Sequence, residues 1–527
     1  MDVRGELRIN PFTGWGASLL LFAGGFALAD RFQLTHGVLY RLAANDLSSA
    51  AGNFLWLTLQ ALALFAAVAL LGRKTLGVVM ILAGASILVN LTYGQILNEM
   101  IDPGKIAWLI AEAGRGGDAA AEFTRPFLFA GLQTAAAIGL FVATRAVLDK
   151  ARLLPRRSWA NKTGVFLLIL PSLVAALANL GPDAAERNIY SGAVAVAFAE
   201  PPPPRAPVEW SPSSSEAPRH IVWLVDESIA HAPFERLIVP ELEHIEHVDF
   251  GVSAALAHCS APSNLALRSG VDVRRAGPRM DLRATPSIWG YARKAGYRTI
   301  LVEGQTSGAP QNLLFSPELA LIDELRNSAA DMDTDREIAR DLNRQLKSSS
   351  PTFTYVVMRG VHFQYSDHYP RGKIPSDSSI REHYKTALIH SKRGFFGSLL
   401  AGVDRDNVAV VYTSDHGQNF STGALPHCSR QAAADEFLVP LVAFLPKRFS
   451  RNYEGGDHFV RSASQIFPAT LIWMGYDSDA VQQKYDRDLN LPTARYVRFE
   501  RNVIPLSSND EIGIRLDVPL PGQPKEN

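Results

Sequence analysis

Two short acidic segments follow apolar runs in the second half of the chain. Asp226-Glu227-Ser228 follows IVWLV (221–225), and Ser414-Asp415-His416-Gly417 follows VAVVYT (408–413). Carboxylates and an imidazole that leave strand ends together suit a borderline divalent ion such as Zn²⁺ or Mn²⁺. Each segment alone also reads as a turn or a helix-start cap, so the pair, not either member, carries the signal. Between them lies Cys259-Ser260-Ala261-Pro262-Ser263, continuing to Arg268-Ser269-Gly270. A serine hydroxyl is a weak nucleophile at neutral pH and becomes reactive when a metal or a base takes its proton. Two further imidazoles sit in polar surroundings: His362 in VHFQYSDHYP and His427 in LPHCS.

The elements that must position these residues are those of an α/β domain. Short apolar runs, IVWLV (221–225), YRTILV (297–302), FTYVVM (353–358), VAVVYT (408–413) and LVPLVAFL (438–445), alternate with helical patterns such as Ser287–Ala295 and Asp335–Leu346. Continuous β-branched runs with helices between them predict a mostly parallel sheet covered on both faces. Ligands of such sheets bind beyond the carboxyl ends of the strands, where the acidic segments lie.

The first two fifths of the chain are of another kind. Residues 1–200 carry 16 Lys and Arg and 13 Asp and Glu, interrupted by five charge-free apolar runs: Ile9–Ala29, Leu47–Gly72, Thr75–Asn98, Pro126–Thr144 and Thr163–Pro182. Each is long enough to cross a hydrocarbon core of roughly 30 Å as a helix, and each is apolar on every face. No small-residue cleavage site follows the first run, so it reads as an anchor. Positive residues concentrate in the fourth-to-fifth connection (Arg145, Lys150, Arg152, Arg156, Arg157, Lys162), at Arg73 and Lys74, and at Arg4 and Arg8. The positive-inside rule places these in the cytoplasm and everything after the fifth span outside. The outer connections Asp30–Asp46 and Glu99–Arg125 either simply connect or face substrate, the second with an apolar patch at Ile106–Ile110. The expected organisation is a transmembrane domain of five helices (1–182), a Pro/Ala/Ser-rich spacer (183–219) with Pro201–Pro204, and an outer catalytic domain (220–527).

The totals average these unlike parts. The chain has 527 residues, a net charge of +0 and 47% hydrophobic residues, with a mean hydropathy of +0.02. A balanced charge excludes a globally basic nucleic-acid binder and an acidic disordered chain. The implied partner is a membrane, with no nucleic acid.

The order of motifs, strand-end acid, S-x-P-S-x-x-x-x-x-S-G, H-x-x-Y-x-x-x-Y-P and S-D-H-G, resembles the sulfatase-like branch of the alkaline phosphatase superfamily. With five membrane helices ahead of it, the layout resembles the bacterial phosphoethanolamine transferases that modify lipid A or other envelope glycans. The resemblance implies Glu227, Asp415 and His416 as metal ligands, with Asp226 as a further ligand because sulfatases use paired aspartates there. It implies Ser260 as nucleophile and fourth ligand, and His362 and His427 facing the phosphoryl group or a second metal. The implied cofactor is Zn²⁺, or Mn²⁺, as one or two ions. The implied activity moves phosphoethanolamine from a phospholipid, phosphatidylethanolamine, to an envelope glycan or lipid acceptor at the outer face of a bacterial inner membrane. The alternatives are a phosphodiesterase or phosphonate hydrolase, a glycerol-phosphate transferase, and a non-catalytic receptor. Asn264 stands where sulfatases need an arginine, which argues against sulfate ester cleavage. Gly304-Gln305-Thr306-Ser307-Gly308 resembles the transferases' D-N-x-S-G stretch loosely. Of the 2 cysteines, Cys259 precedes the nucleophile position and Cys428 follows His427; they read either as a bridge or as two unrelated small residues. His258 and His458 are within reach of the same site by sequence, and Tyr365 and Tyr369 read as pocket or core.

Overall fold

The computed structural model describes residues 10–39, 42, 47–97, 101, 106, 109, 123–151, 153–154, 159–178, 183–198, 202–213, 216–270, 281–306, 310, 312–328, 331–362, 365–420, 426–427, 433–456, 459–499, 502–509 and 513–516. They form two compact units, Met1–Glu200 and Pro201–Asn527.

In the first unit each expected span is helical: α1 (Pro11–Ala29), α2 (Leu47–Leu70), α3 (Arg73–Leu97), α4 (Thr124–Lys150) and α5 (Trp159–Ala178). Four of them, over 11–29, 50–70, 73–96 and 124–150, are long and apolar enough to cross a membrane. The fifth is apolar over the shorter described stretch Trp159–Ala175. Leu20, Ile81 and Leu132 stand 77%, 75% and 71% exposed on these helices, an arrangement that suits lipid and not water. Between helices small residues allow close approach: a Cβ on Gly25 of α1 would sit 2.9 Å from the Phe141 ring of α4. Arg145 of α4 closes the end of α2, its Nη1 donating to Leu71 O at 2.7 Å and Val68 O at 2.9 Å.

The spacer expected over 183–219 begins later than its composition suggests. Asp183, Ala184, Ala185 and Glu186 are buried within the first unit and lead into a further helix, α6 (Asn188–Ala197). Buried hydrogen bonds explain the difference: Ala185 N–H donates to Asp30 Oδ1 at 2.7 Å, and Ala184 N–H to Gln60 Oε1 at 2.5 Å. Of the outer connections, Gln33–Leu39 is π-helical, and Ile106 packs with Tyr93 and Ile101 against Ile189 and Val196; most of Glu99–Arg125 lies outside the described residues. Residues 202–213 carry no regular secondary structure.

The second unit is built on an eight-stranded sheet: β1 (His220–Asp226), β2 (Val248–Ala254), β3 (Arg298–Glu303), β4 (Glu324–Asn327), β5 (Thr352–Val357), β6 (Val408–Ser414), β7 (Leu438–Phe444) and β8 (Arg461–Ser462). The order is β4-β3-β5-β1-β6-β7-β2-β8. Pairs from β4 through β6 are parallel, β7 is antiparallel to both neighbours, and β8 is parallel to β2. The mostly parallel, doubly covered sheet is thus present. β1 shows why its run is continuously apolar. Ile221, Trp223 and Val225 enter one core with Leu265, Tyr355 and Phe467. Val222 and Leu224 enter the other with Ile338, Tyr384 and Leu388. A separate antiparallel sheet, β9 (Arg495–Phe499), β10 (Asn502–Asn509) and β11 (Gly513–Leu516), was not anticipated.

Candidate metal centre and nucleophile

β1 and β6 lie side by side, Asp226 opposite Ser414, so the segments that follow them leave the sheet together. The joined strand ends bring Glu227, Asp415 and His416 into one buried group whose ligand atoms lie within 4.8 Å of one another. Ser260 opens helix α7 (Ser260–Ser269), after Cys259 in extended conformation. Its Oγ lies 3.1 Å from Glu227 Oε1 and 3.3 Å from His416 Nε2. Ser263 Oγ donates to Asp415 O at 2.6 Å, tying α7 to the end of β6. A helix N-terminus beside the hydroxyl favours an anionic group there.

The surroundings fix each side chain. His416 Nδ1 meets Gly417 O at 2.8 Å, which makes Nδ1 a donor and turns Nε2 toward Ser260 and Glu227, where it can hold a proton or, once that proton is lost, a metal ion. Gln305 Nε2 donates to Glu227 Oε2 at 2.6 Å. Ser228 is left-handed, φ 64°, an unusual conformation for a serine. The turn aims its N–H at Asp415 Oδ1 (3.1 Å) and its Oγ at Glu227 Oε1 (3.0 Å). Tyr384 OH holds the turn from behind by donating to Ser228 O at 2.9 Å.

The donor set fits a cation. Asp415 Oδ2 is buried without a hydrogen-bond partner among the described residues. Burial, and then the charge of Glu227, push Asp415 up to about 7. Although burial opposes it, Asp415 and Glu227 push His416 up to about 9. Asp415 and His416 bind protons this tightly because buried acidic groups crowd together here, and a divalent ion answers the same need.

His427 stacks on His416 with ring centroids 4.4 Å apart, and His362 meets His427 edge-on at 5.6 Å. Both expected imidazoles therefore join the cluster. Burial first, then the neighbouring His416 and His362, hold His427 well below the usual histidine range, so it is neutral.

Asp226, read as a further ligand, faces elsewhere. Its Oδ1 accepts from Glu227 N at 3.0 Å, and its Oδ2 meets Tyr412 OH at 2.6 Å and Lys392 Nζ at 2.7 Å. Successive residues of a strand point to opposite faces, so the period of two that sends Glu227 to one side sends Asp226 to the other. Asn264 braces α7, donating to Ser260 O at 2.9 Å and accepting from Tyr355 OH at 2.7 Å. Cys259 is disulfide-bonded; Cys428 lies outside the described residues, as do His458, Ser307 and Gly308. His258 is buried and packs against Phe437. Tyr365 and Tyr369 are buried in the core beside α9 (Ile380–Lys392). Gln305 and Ser228 gained no role from sequence, although each lies in a segment singled out there.

Residues 257–476 match the Sulfatase family model, a span that contains Ser260, His362, Asp415, His416 and His427 and starts after Glu227. Among solved structures, the integral membrane lipooligosaccharide phosphoethanolamine transferase A (EptA) from Neisseria meningitidis is similar with a TM-score of 0.54. The identity is 13%, covering 91% of this chain and 97% of that one. The C-terminal periplasmic domain of EcEptC from Escherichia coli, solved with Zn, gives a TM-score of 0.44 at 16% identity, covering 58% of this chain and 96% of that domain. No curated protein matches the sequence. Residues 257–476 thus match the Sulfatase family model, within a fold that over 91% of the chain is similar to that of an integral membrane phosphoethanolamine transferase.

Proposed function

We propose that the chain is a metal-dependent phosphotransferase of the bacterial inner membrane. It moves phosphoethanolamine from a phospholipid, phosphatidylethanolamine, to an envelope glycan or lipid A-type acceptor through a phosphoserine-type intermediate. The observation that carries this reading is the Ser260 hydroxyl at a helix N-terminus, 3.1 Å from Glu227 and 3.3 Å from His416. The full-length likeness to a membrane transferase fold supports it, as do helices that keep the enzyme where both lipid substrates reside.

Glu227, Asp415, His416 and the Ser260 hydroxyl would hold Zn²⁺ or Mn²⁺. Such an ion makes the hydroxyl acidic and offsets charge on phosphoryl oxygens. Ser260 Oγ attacks the donor phosphorus, and the bond from phosphorus to the diacylglycerol oxygen breaks. That oxygen takes up the proton that Ser260 Oγ gives up and leaves as diacylglycerol. An acceptor hydroxyl or phosphate oxygen then attacks the same phosphorus and Ser260 Oγ departs. His416, oriented through Nδ1, keeps Nε2 on the nucleophile. His362 and neutral His427 offer N–H donors to the transferring group. The positive-inside pattern of the loops puts this chemistry on the periplasmic side.

The test is intact-mass analysis of the purified protein after incubation with phosphatidylethanolamine vesicles. A phosphoethanolamine increment on Ser260, absent in Ser260→Ala along with turnover, is expected. A glycerol-phosphate increment points to a glycerol-phosphate transferase. Free headgroup released while envelope lipids and glycans stay unmodified points to a hydrolase. Undiminished turnover by Ser260→Ala removes this serine from the mechanism.

A further inference from the structure

The first unit holds a second buried acidic group, made by residues at the end of α1 and in the segment before α6. Asp30, Asp183 and Glu186 are 1%, 2% and 4% exposed. One guanidinium answers them: Arg187, 3.0 Å from Glu186 Oε1 and 3.8 Å from Asp183 Oδ1. Among the described residues, three carboxylates against this one arginine leave the group short of positive charge.

The neutral neighbours do not make up the difference. Gln60 Oε1 accepts from Ala184 N at 2.5 Å and from Arg187 Nη2 at 2.9 Å, while its Nε2 is buried and has no hydrogen-bond partner among the described residues, so it donates to none of the carboxylates. Gln33 Nε2 donates to Asp183 O, a backbone carbonyl. Asn188 Nδ2 donates to Asn90 Oδ1 at 2.8 Å. Asp30 Oδ1 accepts one backbone N–H, from Ala185 at 2.7 Å, and Asp30 Oδ2 has no hydrogen-bond partner among the described residues. Neither carboxylate oxygen of Asp183 has one either. A small cavity lies beside this carboxylate. Asp30 lines it with Gln33, Asn90, Phe32, Ala29, Ile101 and Ala185, and its space of about 20 Å³ admits roughly one water-sized group.

We infer that this cavity is a binding site for one small monovalent cation, an alkali ion or the ammonium of a primary amine, held by Asp30. A buried carboxylate is expensive to leave unpaired, and a polar pocket of this size beside it accommodates a single positive group. A quaternary ammonium is too large. The site stands independently of the chemistry assigned to Ser260.

The experiment is thermal unfolding of the full chain in amine-free detergent at constant ionic strength, with sodium, methylammonium or tetramethylammonium chloride. Sodium or methylammonium is expected to raise the midpoint saturably, by about 2 °C or more, and tetramethylammonium to leave it unchanged. A response to sodium alone assigns a free ion; a response to methylammonium assigns an amine. Asp30→Asn should abolish the response. Because that variant can fail to fold, ²³Na line broadening on the wild-type protein, reversed by methylammonium and not by tetramethylammonium, gives a second readout. Equal midpoint shifts with all three salts, an Asp30→Asn response like the wild type, or ²³Na broadening that tetramethylammonium reverses as well would each overturn the site.

Discussion

Asp226 and Glu227 are adjacent in sequence, equally buried, and opposite in electrostatic circumstance. Asp226 belongs to a group closed on itself. Lys392 Nζ, fully buried at the end of α9, lies 2.7 Å from Asp226 Oδ2 and 2.9 Å from Asp335 Oδ2, where Asp335 begins α8 (Thr334–Gln345). The remaining oxygens are used as well. Asp335 Oδ1 accepts from Arg359 N–H (2.9 Å) and Asp226 Oδ1 from Glu227 N–H (3.0 Å), while Gly360 N–H (3.2 Å) and Ser391 add to Asp335 Oδ2 and Tyr412 to Asp226 Oδ2. Glu227 belongs to a group left open at Asp415: His416 Nε2 lies 3.4 Å from Glu227 Oε1 and 3.9 Å from Asp415 Oδ1, and Asp415 Oδ2 has no hydrogen-bond partner among the described residues. The closed group joins the ends of β1 and β5 through α8 and α9. Through it the backbone at Gly360 comes so near Glu227 that a Cβ on this left-handed glycine (φ +59°) would lie 2.4 Å from Glu227 O. One acidic residue builds the platform, and the next, on the other face of the strand, is presented to a ligand.

The contrast predicts opposite responses to losing a charge. Glu227→Gln removes a ligand and a buried negative charge from the open group. We expect it to abolish tight metal binding while the metal-free protein keeps its stability to within about 1 kcal/mol. Equilibrium dialysis with Zn²⁺, paired with denaturant unfolding of metal-stripped protein, reads both quantities. Retained stoichiometric binding, or loss of the metal-free fold, would make Glu227 a structural residue and end the distinction.

Lys392→Met does the reverse. It keeps the length of the side chain but leaves Asp226 and Asp335 buried without their counterion. Breaking such a network by removing one partner costs about 3–5 kcal/mol. The unfolding midpoint of the second unit, followed through buried Trp223, Trp289 and Trp473, should fall accordingly. A variant as stable as the wild type would show that the closed group contributes nothing to the platform.

The open group was legible in sequence because each of its members sits directly after an apolar strand, in a segment whose order along the chain matches a known pattern. The closed group was not, because Lys392 lies in the last turn of a helix with nothing to mark it, and burial of a lysine is a tertiary fact. The misreading of Asp226 has the same origin, since pairing two neighbouring acids ignores the alternation of a strand. The strands follow a similar division. β1, β3, β5, β6 and β7 announce themselves as unbroken apolar runs. β2, VDFGVSA, is interrupted by Asp249 and Gly251 around its irregular register, and edge strand β4 is the polar ELRN. The direction of β7 is not written in residue type at all. In the first unit, the Pro- and Ala-rich composition around residue 183 masked a segment held by buried hydrogen bonds to Asp30 and Gln60.

The smallest effect sharpens the comparison from within the open group. Gln305 follows β3, and its Nε2 bridges Glu227 Oε2 (2.6 Å) to Met358 O (3.2 Å). It therefore holds the ligand carboxylate against the backbone that follows β5 without touching the position of the ion. Partners that orient a metal ligand typically contribute 10–100-fold to affinity. Gln305→Ala should weaken Zn²⁺ binding by about that factor, measured by competition with a chelating dye, with no change in stoichiometry. If affinity is unchanged, Glu227 is oriented by the Ser228 turn alone, whose hydroxyl already reaches Oε1 at 3.0 Å. If the stoichiometry falls instead, Gln305 belongs to the platform and the boundary between the two groups runs through β3, not along β1.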